Sequence, residues 1–172
     1  MTPEFPRPIR IDTIGEGERQ ETIEANAAER AALASRFGLL GIERLTGAFA
    51  LRREAAGISV TGRVTAAATQ ACSITGEPLP ATIDEEARLR FVDDLGGGEE
   101  VELDDAEIDV LPLEGAAIDL GEVAAETLAL SLDPFPRGPN AEAALKEAGV
   151  LSEGEAGPFG ALAGLKEKLA KK

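Results

Sequence analysis

The chain contains no histidine, tryptophan or tyrosine, so phenylalanine is its only aromatic residue. The absence of imidazole excludes a histidine general base, a histidine-dependent catalytic triad and a histidine-containing metal site. The absence of tyrosine and tryptophan removes the usual stacking platforms for the bases of a single-stranded nucleic acid. We therefore expect a protein that is not an enzyme, holds no metal ion or cofactor, and has no small-molecule substrate.

Cysteine and long apolar runs are also scarce. The single cysteine, Cys72, cannot form an internal disulfide, and no apolar run approaches the roughly 20 residues of a membrane span. The N-terminus lacks the basic and apolar regions of a signal peptide. We expect a cytoplasmic protein without membrane contact. Cys72 shares the phase of apolar positions and has no basic neighbour within three residues to lower its pKa, which favours an inert packing role.

Acidic residues dominate the charge. Among 172 residues, 32 are acidic and 17 basic, which gives a formal net charge of −15. Such a charge repels polyanions at long range and by itself favours a basic protein partner. Residues 93–109 hold nine acidic residues and no basic one, typical of a solvated loop. The carboxylates considered for a partner contact are Asp93, Asp94, Glu99 and Glu100, whose spacing lacks the regularity of a calcium loop.

Alternating apolar and polar residues predict a sheet in the middle of the chain. Residues 58–92 resemble one long hairpin that turns at residues 72–78, because each half places apolar side chains at every second position. With a preceding strand, three strands near 43–52, 58–74 and 79–92 form an antiparallel meander. A further short strand is predicted at residues 9–13.

Helices are expected on both sides of this meander. Residues 22–37 favour helix, with Thr22 as a possible cap and Gly38 at the end. A second helix starts at Asp119, and a third covers residues 141–148 after Asn140. The predicted fold is therefore α+β: a curved antiparallel meander flanked by helices, with an acidic loop. Residues 1–150 form one domain around the hairpin 58–92, followed by a linker and a basic amphipathic helix within 151–172.

Five arginines fall in the phase opposite to the apolar face of the meander: Arg44, Arg52, Arg63, Arg88 and Arg90. An array of guanidinium groups on one surface binds phosphates bidentately, even when the net charge opposes approach. In the alternative interpretation this is an ordinary solvated face, in which the arginines pair with Asp84 and Glu86. The sequence leaves both interpretations open.

The C-terminal segment has the pattern of a short basic amphipathic helix. Its apolar stripe contains Phe159, Leu162 and Leu165, and its lysines are Lys166, Lys168, Lys171 and Lys172. These lysines are candidates for contact with RNA or with an acidic surface, or they stabilise the helix C-terminus through its dipole. The helix docks on a partner or folds back on its own sheet.

The order of several short segments resembles a known family. Cys-Ser-Ile-Thr-Gly-Glu-Pro-Leu at 72–79 is followed by an acidic loop and by Ile-Asp-Leu-Gly-Glu at 118–122. A helix then ends in Leu-Ala-Leu-Ser-Leu-Asp-Pro-Phe-Pro at 128–136, and Pro-Phe-Gly-Ala-Leu-Ala-Gly-Leu-Lys closes the pattern at 158–166. This order is similar to the YceD family, the large ribosomal RNA subunit accumulation proteins, and the Asp-Pro-Phe-Pro-Arg-Gly-Pro-Asn variant resembles its alphaproteobacterial members.

The resemblance implies a non-enzymatic factor that large-subunit (23S) rRNA needs in order to accumulate, with pre-rRNA or a pre-50S particle as its partner. Many relatives carry Cys-x-x-Cys at the hairpin turn, whereas this chain has Thr75 at the second position, which removes a ligand from any zinc site. The competing hypothesis is an acidic, chaperone-like protein that binds a basic ribosomal protein through residues 93–109 and the terminal helix.

Overall fold

The computed structural model describes residues 3–93 and 108–150. In these residues the chain forms an α+β fold, as the sequence predicts. The strands are β1 (Pro8–Arg10), β2 (Arg19–Glu24), β3 (Gly41–Glu54), β4 (Gly57–Ala71), β5 (Pro78–Val92), β6 (Asp109–Pro112) and β7 (Ala117–Asp119). The helices are α1 (Ala27–Phe37), α2 (Leu120–Ser131) and α3 (Ala141–Glu147).

The chain divides into two compact units. The first contains Met1–Gln70 and Pro80–Pro134, and the second contains Ala71–Leu79 and Phe135–Lys172. The first unit includes a five-stranded sheet with the order β2-β3-β4-β5-β6 and a two-stranded sheet of β1 and β7. β2, β3 and β4 pair antiparallel, whereas β6 runs parallel to β5. The three predicted strands of the meander are therefore present and adjacent.

The apolar face of the sheet forms the core of the first unit. The β3–β4 register places Leu45 opposite Ala66 and Leu51 opposite Val60, so apolar residues of both strands share one face. Phe49 on β3 is almost fully buried and covers Gly62, its partner on β4. α1 and α2 contact β3, and both helices bury side chains in this core. The apolar residues of the alternating pattern thus face the core, and the polar residues between them face the solvent.

The N-terminal part of the predicted helix 22–37 is wrong. Arg19–Glu24 instead form β2, which pairs with the edge of β3 and buries Ile23. The helix begins later because Asn26 accepts hydrogen bonds from the N–H groups of Ala28 and Glu29, while the Glu29 carboxylate accepts from the Asn26 N–H. Thr22 is therefore not the cap. The predicted end is confirmed, because Gly38 adopts the left-handed conformation with φ 65°.

Asp119 anchors the start of α2, as predicted. Its carboxylate accepts hydrogen bonds from the N–H groups of Gly121 and Glu122 at 2.9 and 3.4 Å, and from the N–H of Arg7 at 2.7 Å. The same residue ends β7, which pairs with β1. The predicted strand 9–13 is shorter than expected, because Ile11–Thr13 form a 3-10 turn.

The described part of the second unit consists of the hairpin turn, the proline-rich segment and α3. α3 follows Asn140, as predicted, but the Asn140 side chain makes no capping hydrogen bond. The predicted boundary at residue 150 stays a prediction. The acidic residues 94–107 and the predicted C-terminal helix lie outside the described residues.

We predict that Gly121→Ala destabilises the fold. A Cβ atom at this position would overlap the backbone carbonyl of Phe5, and such overpacking costs about 1–3 kcal/mol. Alanine elsewhere in a helix is favoured over glycine by about 1 kcal/mol. A loss of stability at this position can therefore be assigned to the overlap with the Phe5 carbonyl. Gly17→Ala is the matched control, since no atom lies within 4 Å of its Cβ position. Thermal unfolding should show a lower Tm only for Gly121→Ala; equal Tm values would contradict this packing.

Candidate functional site

The five arginines project from the solvent-facing side of the sheet in the first unit. Arg44 and Arg52 lie on β3, Arg63 on β4, and Arg88 and Arg90 on β5. Arg63 is opposite Ala48, and Arg52 is opposite Ser59, in the phase that faces away from the buried Phe49 and Val60. We call this surface, defined by the five arginines, the arginine face.

Carboxylates accompany most of these arginines. Arg63 forms an ion pair with Asp84 at 2.8 Å, and Arg88 pairs with Glu86 at 2.6 Å. These four side chains are each more than half exposed. Such ion pairs contribute about 0–1 kcal/mol each, because water screens them. The pairing that the sequence offered as an alternative is present, but it is weak enough for another anion to replace the carboxylates.

Glu54 lies near two further arginines of the face. Its carboxylate lies 2.6 Å from Arg52 and 3.7 Å from Arg90. Arg90 is the least exposed of the five, and its Nε has no hydrogen-bond partner. Arg44 is exposed and forms no ion pair within residues 3–93 and 108–150. Arg44 is therefore the guanidinium most available to an incoming phosphate.

A shallow groove of about 410 Å³ lies on this side of the sheet. Its small side chains include Ala48, Ala50 and Thr61, while Gln20, Arg63 and Arg88 are among its polar lining residues. Small side chains next to guanidinium groups allow a polymer backbone to approach the sheet closely. Gln20 is absent from the sequence prediction, because β2 was not anticipated there.

The second unit contains a hydrogen-bonded turn around Cys72. The Cys72 N–H donates to the Glu77 carbonyl at 2.8 Å, and the Cys72 carbonyl accepts from the Gly76 N–H at 2.9 Å. Gly76 takes a positive φ of 74°, which glycine tolerates best. We call residues 72–77, with the contacting residues 136–140, the Cys72 knuckle.

Side chains and backbone hold this knuckle to the proline-rich segment. Ser73 donates from its N–H and its hydroxyl to the Pro136 carbonyl at 2.8 and 3.1 Å. The amide of Asn140 donates to the Glu77 carboxylate at 3.0 and 3.2 Å, and the Thr75 hydroxyl donates to the same carboxylate at 3.0 Å. Thr75, which stands at the second cysteine position of the family pattern, thus closes the turn by hydrogen bonds.

The Cys72 thiol has hydrogen-bond donors that the sequence does not indicate. Its Sγ is buried and accepts N–H groups from Gly138 at 3.3 Å and from Thr75 at 3.5 Å. The Gly138 N–H contributes most to lowering the Cys72 pKa to about 6, followed by the Thr75 side chain and nearby backbone N–H groups. The sequence interpretation considered basic side chains only, and Gly138 lies 66 residues away.

Within residues 3–93 and 108–150, no three acidic, cysteine or histidine side chains are grouped as metal ligands. The helices of the same ranges include none that is long and apolar enough to cross a membrane.

Several predicted site residues lie outside the described residues. Only Asp93 of the four acidic candidates is described, and it is exposed. The others are Asp94, Glu99 and Glu100 of the acidic loop, and Phe159, Leu162, Leu165, Lys166, Lys168, Lys171 and Lys172 of the terminal segment. Their roles stay predictions.

We predict that replacing the Gly138 N–H raises the pKa of Cys72. Gly138→Pro removes this donor, whereas the matched control Gly138→Ala keeps it and introduces the same Cβ next to Leu79. Thiolate absorbance near 240 nm should titrate with a midpoint near pH 6 in the wild type and in Gly138→Ala, and at higher pH in Gly138→Pro. An unchanged midpoint in Gly138→Pro would show that this hydrogen bond does not stabilise the thiolate.

Stability should depend on pH through the same group. Because the folded-state pKa of Cys72 is depressed to about 6, folding gains stability as the pH rises from there toward the thiol's ordinary pKa, and loses it as the pH falls through 6. We predict that the stability difference between the wild type and Cys72→Ser grows over this interval in denaturant titrations. A difference that does not change with pH would contradict the ionised thiol.

Comparison with known proteins gives one match. A protein-family model described as "Large ribosomal RNA subunit accumulation protein YceD" matches residues 60–166. No curated protein and no solved structure matches the chain. The matched region covers more than half of the chain and includes most of β4, together with β5, the Cys72 knuckle and α2. The chain therefore belongs to the YceD family, whose description links it to the accumulation of large-subunit ribosomal RNA.

Proposed function

We propose that this protein is a non-enzymatic, cytoplasmic factor that promotes the accumulation of large-subunit rRNA by binding pre-rRNA or the assembling subunit. Membership of the YceD family supports a role in the accumulation of large-subunit rRNA. The observation that carries the proposed contact is the arginine face, where five guanidinium groups share one side of a sheet. Its geometry suits an extended phosphate backbone, because each guanidinium presents several N–H donors in one plane.

The ion pairs of the arginine face are compatible with this contact. In the free protein, Asp84 and Glu86 hold the Arg63 and Arg88 side chains in place over the sheet. A phosphate that binds between the two arginines replaces exposed ion pairs of small value. On this side of the sheet, the carboxylates of Glu54, Asp84 and Glu86 offset the charges of Arg52, Arg63 and Arg88.

The net charge of −15 slows the approach of RNA more than it weakens the contact once RNA is bound. At physiological ionic strength, charges separated by more than about 8 Å are largely screened. Once the sheet touches RNA, the nearby guanidinium groups determine the interaction, whereas the remote carboxylates slow the encounter. A basic element elsewhere would assist, and for this role we propose the lysines of the C-terminal segment: Lys166, Lys168, Lys171 and Lys172.

A second candidate function is the binding of a basic ribosomal protein through Asp93, Asp94, Glu99, Glu100 and the apolar residues Phe159, Leu162 and Leu165. The observation that favours it is the excess of carboxylates in the chain. Co-purification of a basic ribosomal protein that is lost when residues 93–109 are deleted would support it.

We predict that Arg63→Ala with Arg88→Ala weakens binding to large-subunit rRNA fragments and reduces its salt dependence. Each lost phosphate contact lowers the slope of log K against log salt by about 0.7–0.9. The matched control is Arg10→Ala with Arg137→Ala, which removes two exposed arginines that belong to no strand of the five-stranded sheet. Filter binding at several salt concentrations measures both quantities.

In cells that depend on the variant, the ratio of large-subunit to small-subunit rRNA should fall for the Arg63 and Arg88 double variant and stay unchanged for the control. If rRNA affinity and this ratio both survive the double variant, the arginine face is not the contact surface. If the ratio falls while rRNA affinity is unchanged, the arginines bind a different component of the particle.

A further inference from the structure

A second groove of the first unit lies between α2 and strands β5 and β6. It has a volume of about 680 Å³, and we call it the α2 groove. Its apolar lining includes Leu89 on β5, Leu111 on β6, and Val123 and Leu130 on α2. Leu130 is 86% exposed, which is unusual for a leucine on a helix whose other leucines, Leu120 and Leu128, are fully buried.

Carboxylates occupy positions of this groove where the strand pattern calls for apolar residues. Glu85 has the same phase as Ile83 and Ala87, which are both buried, yet Glu85 is exposed. Asp109 on β6 is opposite Leu89, so it also faces the side of the sheet on which α2 lies. The sheet therefore directs two carboxylates toward the groove from neighbouring strands.

The helix contributes a third carboxylate. Glu126 on α2 lines the groove, and its pKa is raised by burial and by the neighbouring Glu122 carboxylate. The one arginine or lysine in the lining is Arg88, whose guanidinium is paired with Glu86. A cation placed here would meet the carboxylates of Glu85, Asp109 and Glu126, and it would add to the attraction that Arg36 already exerts on Glu126.

We propose that the α2 groove binds a lysine-rich amphipathic segment of a protein partner. The leucines and valine of the lining bury the apolar side chains of such a segment, and the three carboxylates receive its ammonium groups. A nucleic acid is a poor fit, because its phosphates would face the same carboxylates. This surface meets the arginine face at Arg88, and the inference goes beyond the proposed contact with rRNA.

The test uses the full chain and a synthetic 18-residue helical peptide with leucines on one face and lysines on the other. A second peptide with glutamates in place of the lysines controls for apolar binding alone. The groove variant combines Glu85→Gln, Asp109→Asn and Glu126→Gln. The matched control combines Glu16→Gln, Glu24→Gln and Glu114→Gln, which changes the net charge equally at exposed positions outside the groove. Fluorescence anisotropy of the labelled peptides gives the affinities.

We expect the wild type and the control variant to bind the lysine peptide with affinities within about twofold of each other, and the groove variant to bind it roughly tenfold more weakly, since three partly exposed charge pairs are lost. Leu130→Ser, at a position exposed enough to leave the fold intact, should also weaken binding. Arg44→Ala with Arg63→Ala, which changes two residues of the arginine face that do not line the α2 groove, should leave peptide affinity unchanged, which keeps this test independent of the rRNA contact.

Four results would overturn the proposal. These are the absence of measurable binding by the lysine peptide, equal binding of the glutamate peptide, equal losses in the two triple variants, and an rRNA fragment whose affinity depends on the three groove carboxylates. None of these results would bear on whether the arginine face binds rRNA.

Discussion

The pairing of β3 with β4 is the constraint on which the rest of the structure depends. Along this ladder, Leu45, Phe49 and Leu51 face the same side as their partners on β4. Since successive side chains of a strand alternate, the arginines of the same strands have to lie on the other side. A slip of one residue would bury guanidinium groups and expose the core, so the burial of apolar residues fixes the register and, with it, the arginine face.

This arrangement gives a strongly acidic chain one surface that is rich in arginine. The charges are not spread evenly over the surface. The solvent side of the sheet carries five arginines, whereas carboxylates of β5, β6 and α2 line the α2 groove. At Arg63 and Arg88, ion pairs with Asp84 and Glu86 hold the guanidinium groups of the free protein. The first unit therefore carries two chemically different surfaces, one rich in guanidinium groups and one that combines carboxylates with exposed leucine.

The sequence predicts those parts of the structure that depend on local periodicity. The meander, the phase of the arginines, the cap at Asp119 and the end of α1 at Gly38 follow from alternation and from residue preferences. β2 was missed because its residues favour helix on their own, and only the free edge of β3 makes them a strand. The sequence does not predict the lowered pKa of Cys72 for a similar reason, since its main donor, the Gly138 N–H, is brought close by the fold alone.

The α2 groove shows a signal that was present in the sequence but became interpretable only with the structure. Glu85 interrupts an apolar phase on β5, which in the sequence resembles an ordinary irregularity of a strand. The parallel pairing of β6 places Asp109 opposite Leu89, and α2 adds Glu126 to the same groove. A charged residue at an apolar position of an alternating strand thus indicates a part of the sheet that the core does not cover.

Crosslinking in growing cells, followed by mass spectrometry of the crosslinked peptides, tests the central claim most directly. The account predicts that large-subunit rRNA is crosslinked to peptides of β3, β4 and β5 that contain Arg44, Arg63 or Arg88. Crosslinks to large-subunit rRNA that avoid these strands, or a chain crosslinked to proteins but to no RNA, would contradict it.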